Sequence, residues 1–135
     1  MVNVRHAIDA QVTVQQLIAS TRVVDATPVL AADVDVRTFP HETRFLLVLN
    51  AFETNVANTG GTWTVTESET DGGAYTAATV HGSLAATGAT PGNVQRVVSF
   101  RANPAKPFVL VTFTGADANA EVDITATLVA VPSVL

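Results

Sequence analysis

The sequence predicts an all-β protein, a single-domain antiparallel β-sandwich of jelly-roll-like build, and three observations predict it. Val and Thr are, with Ala, the most abundant side chains, and their β-branching suits the pleated surface of a sheet better than a helix. Segments such as Thr62-Trp63-Thr64-Val65-Thr66 alternate polar and apolar side chains, the pattern of a strand with one wet and one buried face. Clusters of Gly, Pro, Asn and Asp punctuate these segments at near-regular spacing, as in sandwiches and barrels.

Taken in order, residues 1–10 read as an N-terminal arm or edge strand and residues 11–135 as the sandwich domain. The arm carries Val2-Asn3-Val4-Arg5, which can add as a strand to an exposed sheet edge on a neighbour or pair as an ordinary first strand in its own sheet. Strands are expected at Thr13 to Ser20, Arg22 to Asp25 and Asp33 to Thr38, although Gln11 to Ala19 also tolerates a helical turn. Phe39-Pro40-His41-Glu42 reads as a turn with an apolar anchor and as a candidate contact loop.

Phe45-Leu46-Leu47-Val48-Leu49 and Phe108-Val109-Leu110-Val111 are apolar on both faces. Such runs fit central strands covered on both sides, or strands with one face in a protein interface. Trp63 and Val65 are expected to point inward, and further strands at Tyr75 to Val80 and Val94 to Arg101. Val122, Ile124, Ala126 and Leu128 share one face of a strand expected to be the longest in the domain. Gly82 to Gly92, rich in Ala and Thr, reads as a long surface loop. The apolar tail, ending in Val134 and Leu135, is a second candidate contact element because bare apolar termini favour burial.

Bulk properties narrow the function. A chain of 135 residues suits one core, and 47% hydrophobic against 14% charged residues excludes a disordered chain. The longest apolar run, Phe45 to Leu49, is far short of the roughly 20 residues of a membrane-crossing helix, so no membrane partner is expected. No export signal is visible at the N-terminus. With a net charge of −5 and Lys106 as the sole lysine, no nucleic-acid partner is expected either. The lack of cysteine removes disulfides, thiolate metal sites and cysteine nucleophiles together.

The remaining chemistry-bearing residues form no recognisable catalytic pattern. Glu67-Ser68-Glu69-Thr70-Asp71 offers hard oxygen ligands of the kind calcium takes, yet it is also what an exposed hairpin end looks like. His6, His41 and His81 stand singly, without the close spacing that places two imidazoles on one metal. No serine sits in a G-x-S-x-G elbow. Trp63 and Tyr75 could stack on sugars if exposed, but the alternation that buries Val65 also buries Trp63. The expectation is therefore neither an enzyme nor a cofactor protein.

The segment Val65-Thr66-Glu67-Ser68-Glu69-Thr70-Asp71-Gly72-Gly73-Ala74-Tyr75-Thr76 ends a strand in E-S-x-x-D-G-G with a nearby aromatic. It resembles a hairpin of the head decoration, or capsid-stabilising, proteins of tailed bacteriophages. The strand from Arg44 to Asn50 before it, those from Pro107 to Thr114 and Glu121 to Val131 after it, and the early Ile18 to Ala26 segment are similar in order to that family. The resemblance implies a β-sandwich on the outside of a phage head, a homo-trimer or other homo-oligomer that binds the major capsid protein and bridges adjacent subunits. It also implies a virion location after synthesis in the host cytoplasm. Contacts are then expected from Val2, Asn3, Val4, Arg5, Phe39, Pro40, His41, Val134 and Leu135. A carbohydrate-binding or adhesin-like module, and a tail-tube or head-completion protein, are the alternatives for a sandwich of this composition.

Overall fold

The computed structural model describes residues 12–53, 60–86 and 92–132, and within them two antiparallel sheets face each other as a β-sandwich. The first sheet has the order β1 (Thr13–Val23), β11 (Val122–Val131), β4 (Arg44–Glu53), β9 (Gly92–Arg101), β7 (Val80–His81). In the second, β10 (Phe108–Gly115) lies beside β5 (Gly61–Ser68), and both outer edges are built from two-residue pieces. These are β2 (Val29–Leu30) and β3 (Val34–Asp35) against β10, and β6 (Thr76–Ala77) and β8 (Ala85–Ala86) against β5. Such short edges offer little backbone for unwanted pairing with another chain.

The fold class agrees with the sequence reading, and the differences have local causes. Thr13–Val23 is one strand of 11 residues, longer than the 10 of Val122–Val131 that were expected to be the longest. Shifts of register between Gln16 and Ile18 and between Ile18 and Thr21 absorb the misfit that had suggested two separate strands. Asp33 to Thr38 is split: Val34–Asp35 pairs with β10, and Val36–Thr38 closes a 3-10 turn because the Asp35 carboxylate accepts from the Arg37 N–H. Tyr75 to Val80 is split as well, since Thr76–Ala77 pairs in the second sheet and Val80–His81 in the first, so the chain changes sheets between them. The Gly82 to Gly92 segment holds β8 and the start of β9 instead of being loop throughout.

Between the sheets lies a core set by the period of two. Phe45, Leu47, Leu49 and Ala51 of β4 face inward with Val122, Ile124, Ala126, Leu128 and Ala130 of β11. Trp63, Val65, Val109, Val111 and Phe113 meet them from the second sheet. Phe45 stacks on Phe100 at 5.0 Å and 11° between planes, and Trp63 meets Phe113 edge-on at 4.9 Å. Gly61 is required by this packing, because a Cβ there would lie 2.4 Å from Phe113 Cζ and 2.6 Å from the Thr114 carbonyl oxygen. At the same end of the core, Glu53 is buried with both carboxylate oxygens unbonded, and the buried Trp63 Nε1 is also without an acceptor. Burying a carboxylate without a partner costs stability.

Two tests follow from this interior. Leu47→Ala is expected to cost about 2 to 5 kcal/mol in urea unfolding, because it opens a cavity at a fully buried site. Glu53→Leu, of similar size and without charge, is expected to raise the melting temperature, and a lowered one would show that the carboxylate stabilises the fold.

Candidate functional site

The outer faces of the two sheets differ in chemistry. On the second, Thr62 and Thr64 lie opposite Thr114 and Thr112, hydroxyl-bearing side chains that water satisfies, with the exposed Leu30 beside Thr112 and the half-buried Leu110 and Phe108 further along β10. On the first, the pleat and the register build five rungs across the strands. The rung nearest one end holds Val131, Arg44 and Arg101. Next comes Val14, Val129, Leu46, Ser99 and His81, followed by Gln16, Thr127, Val48 and Val97. Thr125, Asn50 and Gln95 form a polar fourth rung, tied by a 3.1 Å bond from Asn50 Nδ2 to Thr125 Oγ1. The fifth carries the Arg22 to Asp123 ion pair beside Phe52.

A contiguous apolar stripe therefore crosses the middle of this face, from Val14 through Val129 and Leu46 to Val48 and Val97. Val14 is 67% and Val97 57% exposed, so these are side chains left in water, not core. The doubly apolar run of β4 is thus settled: Phe45, Leu47 and Leu49 fill the core, and Leu46 and Val48 look outward. In β10, Val109 and Val111 are buried while Phe108 and Leu110 on its other face are half-buried.

Two clefts flank Arg101 at the charged end. The first, of about 460 Å³, opens between the 3-10 turn and the start of β4 and is lined by Phe39, Pro40, His41, Phe45 and Arg101 among others. Phe39 stands edge-on to Phe45 at 5.2 Å and so continues the core aromatics to the surface. The rim is shaped by a tight turn in which both the N–H and the hydroxyl of Thr43 donate to the Pro40 carbonyl, at 3.3 and 2.6 Å. Glu42 takes the left-handed conformation there, with φ of 63°, a strained choice for a side-chain-bearing residue. Arg37 forms a fork with Asp35, at 2.9 and 2.8 Å, and lies over the Phe108 ring at 5.0 Å, so its charge is already engaged.

The second cleft, of about 500 Å³, lies on the outer face and is lined by Arg44, Leu46, His81, Ser99, Arg101 and Val131. Arg44 and Arg101 are cross-strand partners, both exposed. Ion pairs among the described residues involve Arg22 and Arg37, and neither Arg44 nor Arg101 has a bonded partner there.

No family model matches the chain. No curated protein matches it either. Among solved structures, the K1 cleaved adhesin domain of Lys-gingipain from Porphyromonas gingivalis W83 is similar with a TM-score of 0.44 at 10% identity. That likeness covers 79% of this chain, which spans 63% of the adhesin domain. The virus-like particle of the extra small virus of the prawn Macrobrachium rosenbergii is similar with a TM-score of 0.23 at 11% identity, over 92% of this chain and 81% of that one. Likenesses of this size carry no functional argument.

Of the residues expected to make contacts, Phe39, Pro40 and His41 come together in the first cleft. Val2, Asn3, Val4, Arg5, Val134 and Leu135 lie outside the described residues. Sequence reasoning missed the Arg44 and Arg101 pair and the outward valines of β9 and β11. The available signal was an Arg at the start of one apolar strand and another at the end of its future neighbour. Trp63, 1% exposed, belongs to the core, so it offers no ring to a sugar.

The hairpin that carried the resemblance is built around a polar knot. Tyr75 Oη donates to the Asp33 carboxylate, and the Gly72 N–H reaches the same oxygen at 3.4 Å, from a glycine at φ of 68°. Burial works to raise the Asp33 carboxyl, but hydrogen bonds from Asp71, Tyr75 and Gly72 outweigh it and hold the group below the ordinary carboxylate range. Asp71 is pushed up, first by its hydrogen bond to Asp33 and then by burial and the neighbouring negative charge. Among the described residues there is no group of three or more side chains poised to hold a metal ion.

The sign of the pH dependence follows. The depressed Asp33 contributes stability above the carboxylate range that is lost as pH falls through its folded value. The raised Asp71 works oppositely: its favourable contribution is present in acid and lost as pH rises through its folded value. Asp71→Asn is therefore expected to raise the melting temperature at neutral pH, with the difference shrinking as the pH is lowered below the ordinary aspartate value. Melts at stepped pH decide it, and a constant difference would remove the proposed coupling.

Proposed function

We propose that this protein is a structural binding protein that attaches, through the outer face of its first sheet, to the outside of an assembled bacteriophage head. In this reading it bridges adjacent major capsid subunits and so stabilises the shell. The observation that carries the reading is the contiguous apolar stripe from Val14 to Val97, left in water on the outer face of the first sheet. Apolar side chains of this kind gain stability only when another surface removes them from water. The hairpin resemblance supplies the choice of partner. On a lattice, many modest contacts made at once bind tightly, and no single contact has to be strong.

The test is cosedimentation of the purified protein with expanded empty heads of candidate tailed phages, together with heat resistance of the decorated heads. Stoichiometric binding and a raised disruption temperature are expected. A protein that stays in the supernatant with every head type would overturn the reading. In the double variant Val48→Thr with Val97→Thr the strand-forming shape is kept while outward methyls become hydroxyls. It is expected to weaken head binding by about tenfold, as the transfer value of a buried methyl predicts for two positions. Its own melting temperature is expected to stay near that of the parent, because both side chains face outward.

A further inference from the structure

We infer that the cleft between Arg44 and Arg101 is an anchor for a carboxylate-bearing segment of the partner protein. The inference rests on the outer face of the first sheet being the docking face and names the chemistry of what it docks.

Arg44 and Arg101 stand directly opposite each other on neighbouring strands, in a register that runs without a shift along the whole of β4 and β9. Like charges in that position repel and cost the sheet stability. Two of the other described arginines are paired with carboxylates, Arg22 with Asp123 and Arg37 with Asp35, each through a fork, and Arg96 donates to the Ala85 carbonyl. The Arg44 and Arg101 pair has no such carboxylate among the described residues, although the chain as a whole carries a net charge of −5. Two guanidiniums lining one cleft present planar donor forks suited to carboxylate oxygens, and a partner's carboxylate would convert their repulsion into charge-assisted bonds. Ser99 and His81 add polar contacts at the same wall.

The surroundings choose between kinds of anion. Leu46 and Val131 border the arginines, and the apolar stripe begins one rung away. An acidic residue set among apolar ones in a protein segment matches that surface. A nucleic-acid backbone does not: it would find two arginines beside exposed valines, on a molecule whose net charge repels it.

The experiment measures binding of a blocked pentapeptide alternating leucine and glutamate, the same peptide with glutamine for glutamate, and oligo-dT, at low salt. The glutamate peptide is expected to bind about tenfold tighter than its glutamine form, the scale of charge-assisted hydrogen bonds. The double variant Arg44→Gln with Arg101→Gln is expected to lose that preference, and Arg22→Gln, which removes one positive charge at the far end of the same face, to keep it. The double variant is also expected to melt no lower than the parent, since it removes a repulsion, so lost binding cannot come from lost folding. Equal binding of both peptides, a preference that survives the double variant, or tighter binding of oligo-dT would each overturn the inference. Heads bound equally well by parent and double variant would overturn the anchor but not the docking reading. Peptide preference without head binding would do the reverse.

Discussion

The structure depends on the seating of β4 between β11 and β9. Both pairings run through ten consecutive residues without a shift, from Arg44 opposite Val131 and Arg101 to Glu53 opposite Val122 and Gly92. Because side chains alternate faces, a slip of one residue would send Phe45, Leu47 and Leu49 into water and Leu46 and Val48 into the core. The inner set is the larger and includes the Phe45 ring stacked on Phe100, so burial selects the register. The same choice then places everything on the outer face, including the apolar stripe and the two facing arginines. The proposed binding face is thus a by-product of core packing in its position, though not in its composition.

Its composition is where stability and the proposed function part. Exposed Val14 and Val97, opposed arginines and the left-handed Glu42 each cost the isolated chain something, and they cluster at one end and across one face. Elsewhere several local choices agree with the fold, since Asp35 caps the 3-10 turn, Gly61 makes room for Phe113 and threonines pair across β5 and β10, whereas the unpartnered buried Glu53 is a cost inside the core. In the proposed reading, a partner seated on this surface restores the balance. The first sheet's edges fit the same picture, since β1 is long but kinked by two register shifts and β7 is only two residues. Such edges discourage indiscriminate strand pairing.

Much of this was legible before the strands were paired. Alternation in Thr62 to Thr66 and in Val122 to Leu128 correctly named the inward residues, because the pleat has a period of two in any sheet. Phe39-Pro40-His41 was legible as a turn with an apolar anchor, since proline and an aromatic announce it locally, and the three residues line a cleft. Short edge pieces were not legible. Thr76–Ala77 and Val80–His81 look like one strand, and only their partners in different sheets separate them.

By itself, then, the sequence determined the all-β class, the inward residue sets and the absence of cysteine chemistry, for these follow from side-chain type and from neighbours one or two residues away. Only the tertiary structure decided which faces stay open to water and that Arg44 and Arg101 stand side by side. Both depend on pairing between strands distant along the chain, and that pairing is chosen by the summed burial of the whole core.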